Sequence, residues 1–184
     1  MRKSVSLPLA REWLERGQEP VTAARIGSMI HTSGVPGIDR KTGQLAAGPE
    51  KQFAAAFDNL IALLELAGAG PDSVGLLTVW IPDRTNRAYI NKDWLRLYPG
   101  TDRPARKTNQ APLPQGLDVQ LMAACVLGET RIGIEIPGLS HKDPLPMGAR
   151  LGPMVFSSVI APEDPADGKL VQGALPQIDR KSVV

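Results

Sequence analysis

Residues 24–53 and 149–178 align without a gap at an offset of 125 residues, and ten of the thirty positions are identical. The identities include Arg25 with Arg150, Met29 with Met154 and Ser33 with Ser158, together with three glycine pairs: Gly27/Gly152, Gly43/Gly168 and Gly48/Gly173. Glycine admits backbone angles that a side chain forbids, so its retention at one spacing marks the same turns used twice. Self-similarity at a fixed offset is the signature of a duplicated supersecondary unit. The chain therefore reads as one complete domain over residues 15–128, followed over 129–178 by the opening fragment of a second. A lone strand and turn cannot bury a core, so the fragment must dock on the first domain or leave an open sheet edge.

The last residues, Asp179-Arg180-Lys181-Ser182-Val183-Val184, are what the codons GAT CGG AAG AGC GTC GTG encode, the string of a common short-read sequencing adapter. Residues 179–184 are accordingly read as a non-native tail.

Between the repeats the hydrophobic period changes from element to element. Met29-Ile30-His31-Thr32-Ser33 reads as a strand ended by Gly34. Pro49 suits the first turn of a helix, and Phe53, Phe57, Leu60, Ile61 and Leu64 recur at spacings of three and four as one apolar stripe, with Gly68 as the stop. Val74 to Ile81 is nearly all apolar and reads as a buried strand closed by Pro82-Asp83. Asp83 caps a second helix in which Ile90, Trp94 and Leu97 share a face before Pro99-Gly100 breaks it. A last strand pair runs from Arg106 to Ala111 and from Leu117 to Leu127. In the second of these, alternation places Cys125 in the core, and the scarcity of polar residues on the other face predicts cover by another subunit or element.

A hydrophobic fraction of 42% and a charged fraction of 22% are those of a globular protein. No apolar run reaches the length that spans a bilayer and the start carries no apolar leader, so a cytoplasmic protein without membrane association is expected. One cysteine and two histidines, His31 and His141, make neither an internal disulfide nor a closed zinc site, and no metal is expected. A net charge of +2, not gathered in one stretch, argues against nucleic acid as the partner. Gly68-Ala69-Gly70 follows a helix, not a strand, so it is no phosphate loop, and no Gly-x-Ser-x-Gly elbow is present. His31, inside a strand, reads as a core or pocket histidine.

Thr32-Ser33-Gly34, Lys41-Thr42-Gly43, Gln52, Asn59-Leu60, Ala67-Gly68, Val74, Thr78-Val79, Asp83, Asn91, Arg103-Pro104-Ala105-Arg106 and Leu113-Pro114 follow one another in a familiar order over about residues 20 to 128. This pattern resembles that of the Rid (YjgF/RidA) family, most sharply in Pro104-Ala105-Arg106 and the Leu113-Pro114 turn. The resemblance implies an α+β, chorismate-mutase-like fold, one sheet backed by two helices, here with a partial second copy. It implies assembly as a trimer, or a pseudo-trimer of tandem domains, with ligand clefts between subunits. It also implies hydrolysis of 2-imino and enamine acids to 2-oxo acids and ammonia without a cofactor.

On that resemblance Arg106 matches the carboxylate-binding arginine, and a guanidinium's planar fork of donors suits a carboxylate. Ser33 and Gly34 match the strand end beside the pocket, and Trp94 falls where the family carries an aromatic residue. Gln120 stands in place of a glutamate at the water-activating end, and its amide does not titrate. Val35 replaces the usual glutamine after Ser-Gly, and the stretch from Arg106 to Leu113 is one residue short. Two function classes follow: an imine hydrolase with a small carboxylate substrate anchored by Arg106, or a non-catalytic scaffold that binds small acids. A ribonuclease ranks third for want of a basic stretch.

Overall fold

The computed structural model describes residues 2–8, 20–139, 141–160, 169 and 171–173. The expected tail at 179–184, and the parts of the repeat at 161–168 and 174–178, lie outside the described residues.

Leu121, Ala123 and Cys125 recur with a period of two, so one whole face of the strand Gln120–Val126 (β7) lies in the core. The main sheet is built outward from β7. On one side it pairs antiparallel with Val74–Ile81 (β5); on the other it pairs with Met29–Thr32 (β3) and then Val35–Pro36 (β4). Thr22–Ile26 (β2) and Arg2–Ser6 (β1) continue beyond β3, and Ala105–Gln110 (β6) runs parallel to β5 at the far edge. The order is β1-β2-β3-β7-β5-β6. The sheet thus takes in a strand that lies ahead of the expected domain start at residue 15.

Two helices back one face. Pro49–Leu66 (α1) buries Phe53, Ala56, Phe57, Leu60, Leu63 and Leu64, with Ile61 half-buried at the margin of that stripe. Parallel neighbours need a crossover connection, and the one between β5 and β6 contains Ile90–Leu97 (α2), which buries Ile90 and Trp94. Asp83 caps the chain as expected, but the turn it caps is a 3₁₀ helix, Arg84–Tyr89, that leads into α2. Two polar residues on the buried face of α1 stitch it to loops. Gln52 donates to Gly116 O and accepts from the Asp118 amide, and Asn59 donates to Pro36 O and Ile38 O. Glycine is required at Gly37, where a Cβ would lie 2.1 Å from the Gln52 carbonyl oxygen.

The strand expected from Leu117 begins only at Gln120. Leu117 N–H closes a turn onto Pro114 O and the Asp118 amide is taken by Gln52, so neither joins the ladder, although Leu117 and Val119 are buried. His31 is a second correction. It is exposed, because it sits on the sheet face that carries no helix, opposite its buried neighbours Ile30 and Thr32.

Between the pairs His31/Ala124 and Val35/Leu121, three residues of one strand oppose two of the other. Such a bulge frees a backbone amide, and the Thr32 hydroxyl accepts from Ala123 N–H at 2.9 Å. Ser33 and Gly34 leave the ladder at this point.

The C-terminal part forms a second antiparallel sheet of Arg131–Ile134 (β8), Gly148–Leu151 (β9) and Met154–Ser157 (β10), in the order β10-β9-β8. Its register repeats that of the N-terminal strands. Ile26 pairs with Met29 and Arg25 with Ile30; 125 residues on, Leu151 pairs with Met154 and Arg150 with Val155. Both hairpins turn on a glycine of positive φ, Gly27 at 61° and Gly152 at 54°. The Ser33 amide bonds to Thr22 O, and the Ser158 amide to Met147 O. This sheet packs on β5 and β6. Ala149 and Leu151 are fully buried there, and the Phe156 ring lies so close to Gly75 that a Cβ would meet it at 2.2 Å. Part of the apolar cover expected for the sheet is therefore supplied by the chain itself, while Ile26 and Met29 on the first hairpin stay exposed. Among the described residues no helix is long and apolar enough to cross a membrane.

Candidate functional site

Arg106 lies on the edge strand β6, and its register partner is Leu77, a member of the helix-side core, so its side chain turns toward α2. The residue is 2% exposed. The guanidinium stacks over Trp94, its Cζ 4.8 Å from the ring centroid. Nη1 donates to Asn91 Oδ1 at 2.9 Å. Nη2 lies 3.2 Å from Asp143 Oδ2, out of line for a hydrogen bond, and Nε is buried with no acceptor among the described residues. The Nε–Nη2 edge, the side on which a guanidinium grips a carboxylate with two parallel bonds, is thus the unsatisfied one.

Asp143 binds three groups at once. Oδ2 accepts from Arg87 Nε at 3.1 Å and Nη2 at 2.8 Å, while Oδ1 accepts from Asn91 Nδ2 at 3.2 Å. Asn91 therefore turns its amide oxygen to one partner and its nitrogen to the other. Burial lowers the Arg106 pKa to about 10, against the pull of Asp143, so the group stays charged at neutral pH. Burial also acts to raise the Asp143 carboxyl, but the bonds from Arg87 and Asn91 and the charge of Arg106 outweigh it and leave it below its ordinary value. His141 completes the cluster. Its Nε2 is buried without a partner among the described residues, and burial lowers its pKa against the charges of Glu135 and Asp143, which favours the neutral ring. Two guanidinium charges facing one carboxylate leave the cluster with an excess positive charge.

The C-terminal part walls in this cluster. Trp94 Nε1 donates to Pro144 O at 2.9 Å, and Leu145 packs on the core. Ser158 Oγ accepts from the Arg106 amide at 3.1 Å and donates to Pro146 O.

Of the residues singled out in the sequence, Arg106 and Trp94 are brought together, and Ser33, Gly34 and Gln120 form a separate group. The Ser33 hydroxyl accepts from the Thr22 amide at 3.0 Å. A Cβ on Gly34 would lie 3.0 Å from the Gln120 side chain, which therefore rests on the glycine backbone. Gln120 pairs with Trp80, whose side chain shares a face with Met122, away from the helices. Within the chain the Gln120 group and Arg106 are on opposite faces of the sheet. Asp143, His141 and Arg87 escaped sequence reading. Asp143 lies 37 residues beyond Arg106 in a Pro-rich connection, with no period or motif to tie the two.

The family model described as endoribonuclease L-PSP matches residues 18–126. The chain belongs to that family. It is the Rid family that the Pro104-Ala105-Arg106 motif resembles, and its relatives bear both kinds of name. RutC family protein UK114 of Drosophila melanogaster is 31% identical over 130 residues, covering 70% of this chain and 91% of the relative. The 2-iminobutanoate/2-iminopropanoate deaminase of Mus musculus is 32% identical over 108 residues, 58% of this chain and 79% of that one. Among solved structures, an Entamoeba histolytica protein described as a putative endoribonuclease L-PSP superposes with a TM-score of 0.60 at 30% identity, over 69% of this chain and 100% of its own. E. coli TdcF with bound serine superposes with a TM-score of 0.52 at 26% identity, over 56% of this chain and 84% of its own. The mixed sheet with two helices is the Rid fold, and the family model ends before Asp143.

Proposed function

We propose that the chain is a hydrolase of 2-imino acids in which Arg106 anchors the substrate carboxylate. The observation that carries this reading is the buried Arg106 guanidinium, held over the Trp94 ring with its Nε edge unsatisfied and excess positive charge around it. A buried donor without a partner is costly, and a carboxylate in two-point contact removes that cost. Relatives named for imine deamination, and a structural neighbour described with a bound amino acid, support the same ligand class. In the reaction, water adds to the C=N carbon and the resulting carbinolamine releases ammonia, leaving the 2-oxo acid.

The reading includes a second copy. Residues 129–178 are taken as its opening segment, on the strength of the repeated register and glycine turns. Ser158, 125 positions after Ser33, is the residue that bonds the Arg106 amide. The serine-bearing strand end of one copy thus meets the arginine of another. An assembly of copies, trimer or pseudo-trimer, brings Ser33, Gly34 and Gln120 to a second arginine in the same way.

The test couples an amino-acid oxidase that generates 2-imino acids to the purified full chain. Ammonia release is expected to accelerate, and Arg106→Ala to abolish the acceleration. No acceleration by folded protein, with 2-oxobutanoate still bound, refutes the enzyme and favours the binding scaffold. One feature favours that second reading: the amide at Gln120 does not titrate.

A further inference from the structure

We infer that Asp143 is a built-in occupant of the Arg106 site, and that residues 141–146 form a strap which a carboxylate ligand must displace. The inference rests on the proposed role of Arg106 as a carboxylate anchor. At 2% exposure Arg106 is out of reach of any solute while the strap is in place. The group lying against its Nη2 is itself a carboxylate, the chemical class a guanidinium fork selects.

The contact is poor as a permanent ion pair. Asp143 meets Arg106 out of line, gives its short bonds to Arg87, and leaves Nε with nothing. Arg87, with a side chain 58% exposed, can follow Asp143 outward, whereas Arg106, with a side chain 1% exposed, cannot. Removal of Asp143 leaves the positive charges of Arg87 and Arg106 uncompensated beside Asn91, whose side chain already faces the seat. A free small carboxylate matches that vacated seat in charge, and gains the Nε bond that Asp143 does not make.

The strap is fastened at points that do not depend on the Asp143 charge. Trp94 holds Pro144 O, Ser158 holds Pro146 O and Leu145 rests on the core. Loss of the charge therefore releases the Asp143 end of the strap without unfolding the connection. A ligand that must displace an occupant present in about nine molecules of ten binds about tenfold more weakly than to an empty seat.

The experiment compares the full chain with Asp143→Asn, which keeps the size and hydrogen-bonding reach of the side chain, and Asp143→Ala. Two quantities are read: the rate of Arg106 modification by phenylglyoxal, followed by peptide mass mapping, and the affinity for 2-oxobutanoate by calorimetry. Both variants are expected to speed modification of Arg106, and to tighten 2-oxobutanoate about tenfold, with Arg106→Ala in the Asp143→Asn background abolishing the binding. Unchanged modification in both variants overturns the strap. Faster modification with weaker binding overturns the occupant, because Asp143 would then be part of the seat. Faster modification with no binding in any variant leaves the strap standing and sinks the carboxylate role of Arg106.

Discussion

Replacing Ser158 by alanine tests the docking of the C-terminal sheet at its most buried polar joint. Among the described residues the Ser158 hydroxyl is the partner of two backbone groups, accepting from Arg106 N–H at 3.1 Å and donating to Pro146 O at 2.6 Å, in a residue 2% exposed. Alanine leaves both groups buried and unpaired. Each such orphan costs about 1–3 kcal/mol, so the substitution, which leaves two, is expected to destabilise by about 2–6 kcal/mol. Ser33→Ala is the internal control, 125 residues earlier in the repeat. There one bond is lost, from Thr22 N–H at 3.0 Å in a half-buried position, and a cost of about 0.5–1.5 kcal/mol follows. Urea unfolding followed by circular dichroism gives the two differences. Amide hydrogen exchange at Arg106 localises the effect: a loss of about 2.8 kcal/mol corresponds to roughly a hundredfold faster opening. If Ser158→Ala costs no more than Ser33→Ala, or leaves Arg106 exchange unchanged, the buried joint is not what holds the two parts together.

Two further predictions concern the core. Gly75→Ala places a methyl group 2.2 Å from Phe156 Cε2, and overpacking of this kind costs about 1–3 kcal/mol; the penalty should shrink in a Phe156→Ala background, and additive costs across that double-mutant cycle would remove Phe156 from the contact. Cys125 is fully buried, and burial pushes its thiol up to about 12, so it should resist Ellman's reagent at neutral pH until the protein is unfolded. Because the folded value is raised, the thiol's contribution to stability is complete below the unfolded pKa of roughly 8.5 and is lost as pH climbs through the folded value. A Cys125→Ala variant whose stability falls just as steeply between pH 9 and 11 would contradict that assignment.

Legibility in the sequence followed the range of the interactions. The stripe Phe53, Phe57, Leu60 and Leu64, the apolar run Val74–Ile81 and the alternation ending at Cys125 each announce a buried face, because helical and strand periods are local properties. The start of β7 is not legible there for the complementary reason. Leu117 and Val119 keep the alternation, yet the Asp118 amide is claimed by Gln52 from a distant helix. His31 carries no mark of which sheet face the helices will cover. At the candidate site, Arg106 is marked by its motif and Trp94 by falling where the family carries an aromatic residue, whereas Asp143 belongs to a connection whose conformation only packing determines.

Local chemistry alone thus determines the units of this protein: glycines at Gly27 and Gly152 that permit the same turn twice, strands of period two, and helices with one apolar stripe. The tertiary structure decides what those units do to one another. The second hairpin could have exposed its apolar face to water; instead it lies on β5 and β6, because burying Leu151 and Phe156 against Gly75 removes apolar surface from solvent. That docking carries Asp143 to Arg106, and no feature of either residue's neighbourhood in the chain specifies the meeting.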